Sequence, residues 1–218
     1  MTGLGRFLGS TIGKKIVMAV SGLVWIGYIV VHMSGNLLAY AGPSAINDWA
    51  AFLKSTIPLL WGTRILLVVA LVVHIQAAYS LKRLNRLSRP VGYTRVQHPA
   101  STLASRTMGW GGVLLLVFLV YHILELTLGV VHPVFSHTNV YGNLVSYLGI
   151  WWIGLFYLVA MVALAAHLYH GVWSMFQTVG AVHPRYDRLR RTVATLVAIV
   201  VPVGFASIPL AILFGLLR

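Results

Sequence analysis

Nine histidines punctuate a chain of 218 residues that holds only three carboxylates and no cysteine. Five of them, His32, His74, His122, His167 and His170, fall inside long apolar runs. An ionisable side chain is costly there, and it usually faces the interior of a helix bundle to serve an ion path, a proton relay or a ligand site. Spacing sorts these residues by depth. A helix rises about 1.5 Å per residue, so His32 stands about 25 Å beyond Lys15, and His122 about 24 Å beyond Arg106. Both lie near one face. His74 precedes Lys82 by about 12 Å and His167 precedes Gln177, where polarity resumes, by about 15 Å, so this second pair lies nearer the opposite face.

Two imidazoles that face each other across a gap suit one kind of centre well. They bind a haem iron on both axial sides and leave no position for oxygen, which favours electron transfer over oxygenation. Without cysteine there is no covalent Cys-x-x-Cys-His attachment, no iron–sulfur ligation and no disulfide, so the haems would be of b type. A zinc site wants three or four clustered ligands, whereas each depth offers a pair. A proton relay would favour a graded ladder of depths with carboxylates, and Glu125 is the one carboxylate inside an apolar run. His170 follows His167 by three residues and about 60° of helix, and depth alone does not choose between the two. No Gly-x-Gly-x-x-Gly or Walker loop occurs, so other redox chemistry would belong to partner subunits.

The elements that must carry these side chains are transmembrane helices. Hydrophobic residues make up 59% of the chain and charged residues 9%, with a mean hydropathy of +0.86, a balance that excludes a water-facing surface. A bilayer core takes about 20 apolar residues. Five runs qualify, approximately 16–40, 60–81, 107–131, 150–178 and 192–217, in a single domain over 1–218, with kinks expected at Pro202 and Pro209. Lys14 and Lys15 before an apolar run that closes on Ala39-Tyr40-Ala41 look like a secretory signal, but the run exceeds the usual core of roughly 7 to 15 residues and is read as a retained helix.

The 16 basic residues, against three acidic ones, sit between the spans, which points to topology rather than nucleic acid. Thirteen of them, from Arg6 through the Lys82 to Arg106 segment to Arg191, fall on one side, and Lys54, Arg64 and Arg218 on the other. The N-terminus is therefore expected in the cytoplasm and the C-terminus outside. This basic face either attracts anionic lipid or docks a soluble partner, with the Leu87 to Ser105 loop as the expected contact.

Three segments together resemble a known family. They are His32-Met33-Ser34-Gly35-Asn36-Leu37, the stretch from Ser101 to Met108 leading to Tyr121-His122, and the run from His167 through His170-Gly171 to Gly180. The resemblance covers almost the whole chain and is to the cytochrome b558 membrane anchor of succinate dehydrogenase and fumarate reductase. It implies five helices carrying two haems b, with His32 and His122 holding the outer haem and His74 and His167 the inner one. It further implies flavoprotein and iron–sulfur partners, which carry the FAD and the clusters, on the cytoplasmic face of a prokaryotic cell membrane. Quinone, menaquinone by family association, is the membrane substrate, and a higher oligomer of the complex is compatible with this reading. The family's His-x-x-x-Gly pattern matches His167 with Gly171, leaving His170 as an alternative ligand or a neighbour. Ala165 stands where related fumarate reductases carry a glutamate, which speaks against a proton route at that position.

Glu125, one turn beyond His122, and Asp48 in the outer loop are candidates for passing protons to quinone. Ser21, Lys15, Arg106 and Gln177 lie near the inner level, where haem propionates would seek partners. His98, His132, His137 and His183 fall in loops and receive no role. Two other readings fit the buried histidines: the cytochrome b subunit of a different membrane dehydrogenase or hydrogenase, and a His-lined proton-coupled transporter.

Overall fold

The computed structural model describes residues 3–88, 102–132 and 134–218. Among them there is no strand, and eight α-helices follow one another: α1 (Gly3–Gly9), α2 (Thr11–Leu37), α3 (Pro43–Ser55), α4 (Ile57–Leu87), α5 (Leu103–Leu126), α6 (Val140–Leu148), α7 (Trp151–Thr178) and α8 (Asp187–Leu213). Five of these, α2, α4, α5, α7 and α8, are long and apolar enough to cross a membrane.

Helix limits follow capping rather than hydropathy. The Ser10 hydroxyl accepts from the Gly13 N–H at 3.0 Å and starts α2 five residues before the apolar ruler placed it. The corner between α1 and α2 requires Gly13, because a Cβ there would stand 2.0 Å from the Phe7 carbonyl oxygen. Thr102 caps α5 through the Ser105 N–H, and that helix stops at Leu126, ahead of Gly129 at φ +67°. The span expected over 107–131 is thus displaced by about one turn, and Val130 and Val131 lie outside it. Hydropathy sees only the part of a helix that tolerates hydrocarbon. α4 and α8 run past those limits into charged sequence, and α8 continues through Pro202 and Pro209.

α7 sits at the centre, packed closely against α5 and α8, while α2 packs closely on α4. One core cluster joins Leu144 and Leu148 of α6, Ile153 and Tyr157 of α7 and Ile208 and Ile212 of α8. A second joins Met33, Leu168, Ala198 and Val201. α4 buries only Ala70 and Ala77, and α5 only Glu125. At one end, α3 and α6 form a cap: Ile46 is buried, the Asn47 side chain accepts from the Tyr141 N–H at 3.0 Å, and Trp49 closes over Gly35. The Tyr141 hydroxyl donates to the Arg218 carbonyl at 3.2 Å, so the C-terminus joins this end.

Candidate functional site

Four histidines from four helices meet as two pairs. At the level toward the α3–α6 cap, His32 of α2 faces His122 of α5, with ring centres 5.9 Å apart and planes at 82°. At the other level, His74 of α4 faces His167 of α7 at 6.3 Å and 48°. Neither α2 with α5 nor α4 with α7 is among the closely packed helix pairs, so rings rather than backbones approach across each gap. A metal ion held axially by two imidazoles needs about 2 Å to each nitrogen and about 1 Å more to each ring centre, which sets the centres about 6 Å apart. Both pairs stand at that separation.

Hydrogen bonds orient two of the rings. His74 Nδ1 lies 3.1 Å from the Met18 carbonyl oxygen and 3.1 Å from Ser21 Oγ. A carbonyl only accepts, so Nδ1 carries the proton and Nε2 is left bare to act as a ligand. Ser21, expected near haem propionates, thus touches the ring of His74, while its own hydroxyl donates to the Val17 carbonyl at 2.7 Å. His122 Nδ1 lies 3.2 Å from the Tyr157 hydroxyl. The His32 ring stacks on Tyr28 at 5.4 Å and meets Phe205 at 5.7 Å, so aromatic faces hold it. His167 Nδ1 is buried without a hydrogen-bond partner among the described residues, as is Trp25 Nε1. Buried polar atoms rarely remain so without a group to meet them.

His167, and not His170, is the residue whose ring faces His74. A Cβ built on Gly171 would meet nothing within 4 Å, so one turn below His167 the helix surface is clear for a flat group to lie against backbone.

Glu125 is fully buried and is the focus of a polar cluster. The Tyr121 hydroxyl donates to Oε1 at 3.0 Å, His132 Nε2 lies 3.0 Å from the same oxygen, and the Tyr157 hydroxyl makes a close hydrogen bond to Oε2. The His132 ring stacks on Tyr147 at 3.9 Å, and its side chain is 12% exposed. A carboxylate so buried is not a solvated helix end. Asp48, by contrast, lies exposed on α3 and shares no hydrogen bond or ion pair with these groups.

Sequence reasoning overlooked Tyr157 and His132. The i, i+4 spacing of Tyr121 and Glu125 was a usable signal for the first bond of the cluster. Tyr157 lies 32 residues from Glu125 on another helix, and His132 lies beyond the end of α5, so no periodicity connects either to the carboxylate.

At the opposite end, the buried Arg190 side chain pairs with Asp187 and lies 4.9 Å over the Trp173 ring, with Arg191 at 5.0 Å from the same ring. The loop expected to dock a partner, Leu87 to Ser105, lies mostly outside the described residues. Among the described residues, no three His, Cys, Asp or Glu side chains gather as a metal cluster. The chain matches no family model, no curated protein and no solved structure.

Proposed function

We propose that this chain is the dihaem cytochrome b anchor of a succinate:quinone oxidoreductase in a prokaryotic cell membrane. It would hold flavoprotein and iron–sulfur subunits at its basic cytoplasmic face and exchange electrons with membrane menaquinone. The observation that carries this reading is the pairing of four histidines from four helices, at 5.9 and 6.3 Å, on two levels of one bundle. Such pairing suits two low-spin haems b, His32 with His122 and His74 with His167, and the motifs around His32, His122 and His167 support the choice of complex.

When bound, haem b supplies one-electron transfer between the two faces. The chain's own residues do the rest. Met18 and Ser21 hold the His74 ring with Nε2 bare, and Tyr157 does the same for His122. The four paired rings are half-buried between apolar helix faces, and hydrocarbon around the bundle would keep water from them and strengthen each polar contact there. Glu125 sits one turn from His122 toward the cap, where a proton taken up or released by quinone would need a carrier.

The absorption spectrum of the purified protein tests this reading directly. A Soret band with sharp reduced α bands and two haems per chain by pyridine haemochrome is expected. Alanine at His32 or His122 is expected to remove one haem, and alanine at His74 or His167 the other. A chain without a Soret band would instead match the His-lined transporter, and two haems surviving in any one of these variants would remove that residue from the ligand set.

A further inference from the structure

One contact in the cluster joins two parts of the molecule that the sequence treats separately. The Tyr157 hydroxyl lies between His122 Nδ1, at 3.2 Å, and Glu125 Oε2, with which it makes a close hydrogen bond. A phenol has one proton and a carboxylate only accepts, so the proton of Tyr157 points at Glu125. The oxygen then presents its lone pair to His122, whose Nδ1–H must be the donor. Glu125 is held as acceptor from its other side by Tyr121 and by His132, which is stacked on Tyr147. The whole series, from His132 at the cap to His122, is assembled from α5, α6, α7 and the segment after α5.

We propose that Tyr157 is the positioning residue of the outer site, coupling His122 to the Glu125–His132 cluster and thereby setting how strongly that imidazole donates to a metal. The proposal rests on the reading of His122 as a haem ligand. An acceptor on Nδ1–H fixes the tautomer and the ring orientation, leaves Nε2 bare, and raises the basicity of the ligand. The carboxyl group behind the phenol strengthens that acceptor, because a hydrogen bond donated onward by the Tyr157 hydroxyl polarises the next one in the chain. A more basic axial ligand favours the oxidised metal, so the contact lowers the outer potential. Among the described residues the inner site has no counterpart. His74 donates to a backbone carbonyl and to Ser21, and neither leads to a carboxylate. The two levels are therefore tuned by different means.

The test uses the purified, haem-loaded chain with Tyr157→Phe, which removes one oxygen and keeps the ring that packs against Phe118 at 4.9 Å. The outer signal is identified as the one lost in His32→Ala. Expected are two haems retained, an upward shift of the outer midpoint potential, altered g-values of the outer low-spin signal, and an inner midpoint unmoved. Glu125→Gln is expected to shift the outer midpoint in the same direction by less. Combining it with Tyr157→Phe is expected to add nothing, since the carboxylate acts through the phenol. Tyr121→Phe, which strips a hydroxyl from the same carboxylate without touching His122, is the control for a general structural effect, and a far smaller shift is expected.

Outer potential and g-values unchanged in Tyr157→Phe, with both haems present, would overturn the proposal and leave the haem reading intact. An equal shift in Tyr121→Phe would also overturn it. If Tyr157→Phe fails to assemble, Glu125→Gln decides alone, since an unmoved outer midpoint there contradicts coupling through the phenol. Absence of haem from the unmodified chain would instead remove the reading on which the proposal stands.

Discussion

His167 and His170 differ by one turn of helix and by what lies opposite them. Only His167 brings its ring to 6.3 Å from His74, and only His167 has an open glycine four residues later on its own face. On the proposed dihaem reading, Gln at His170 is therefore expected to leave two haems bound, whereas Gln at His167 is expected to halve the pyridine haemochrome signal by removing the inner haem. The reverse pattern would pass the ligand role to His170. The same residue scale shows why a shared helix face is not a shared role. His122 and Glu125 are one turn apart on α5, yet one faces a second imidazole and the other collects two phenols and a histidine. Three residues separate them by about 4.5 Å of height and about 60° around the helix, so they share Tyr157 as a neighbour and differ in what else they meet.

Among the elements, α7 bears most of the structural weight, since it packs on both α5 and α8 and contributes to both core clusters. Its tightest approach is at Gly154, where a Cβ would lie 2.9 Å from the Leu148 carbonyl oxygen and 2.9 Å from Leu213 of α8. The carbonyl belongs to backbone and cannot yield as a side-chain tip would. Gly154→Ile is accordingly expected to cost about 1–3 kcal/mol by overpacking and to lower the thermal midpoint of the detergent-solubilised protein. On the proposed dihaem reading, haem content is expected to be unchanged below that midpoint, because His167 sits more than three turns away along the same helix. Unchanged melting would mean that α7 and α8 separate there at little cost. α5 depends on a different kind of contact. Its one buried residue is a carboxylate, so its seat in the bundle rests on the Glu125 cluster and on the aromatic contacts of Phe118 with Phe156 and Tyr157.

At the scale of the whole molecule, the α3–α6 cap with the C-terminus and the end bearing α1 lie at opposite ends of the bundle. The distribution of basic residues predicts that the α1 end faces the cytoplasm. A chain without native cysteine makes this simple to measure, because an introduced thiol is the only one present. Ser44→Cys, on exposed α3, is expected to react with a membrane-impermeant maleimide on intact cells. Ser88→Cys, exposed at the far end of α4, is expected to react only after permeabilisation. Labelling with the opposite pattern would invert the bundle and move the basic face to the outside.

Much of this architecture was legible in the sequence, because it depends on quantities local to the chain. Apolar run length determined the five helices among the described residues that are long and apolar enough to cross a membrane, and the fixed rise per residue set His32 level with His122 and His74 with His167. Helix limits were legible less closely, since caps such as Ser10 and Thr102 act outside the apolar window. What only tertiary structure decided is direction and partnership. The turning of four helices about their axes brings the rings within about 6 Å, a separation that metal–imidazole bonding also requires. The packing of α7 on α5 delivers the Tyr157 hydroxyl to both His122 and Glu125, and the chain's return after Gly129 lays His132 over the same carboxylate. Depth is set by bonds along one helix, whereas a contact across helices is set by the packing of all of them together.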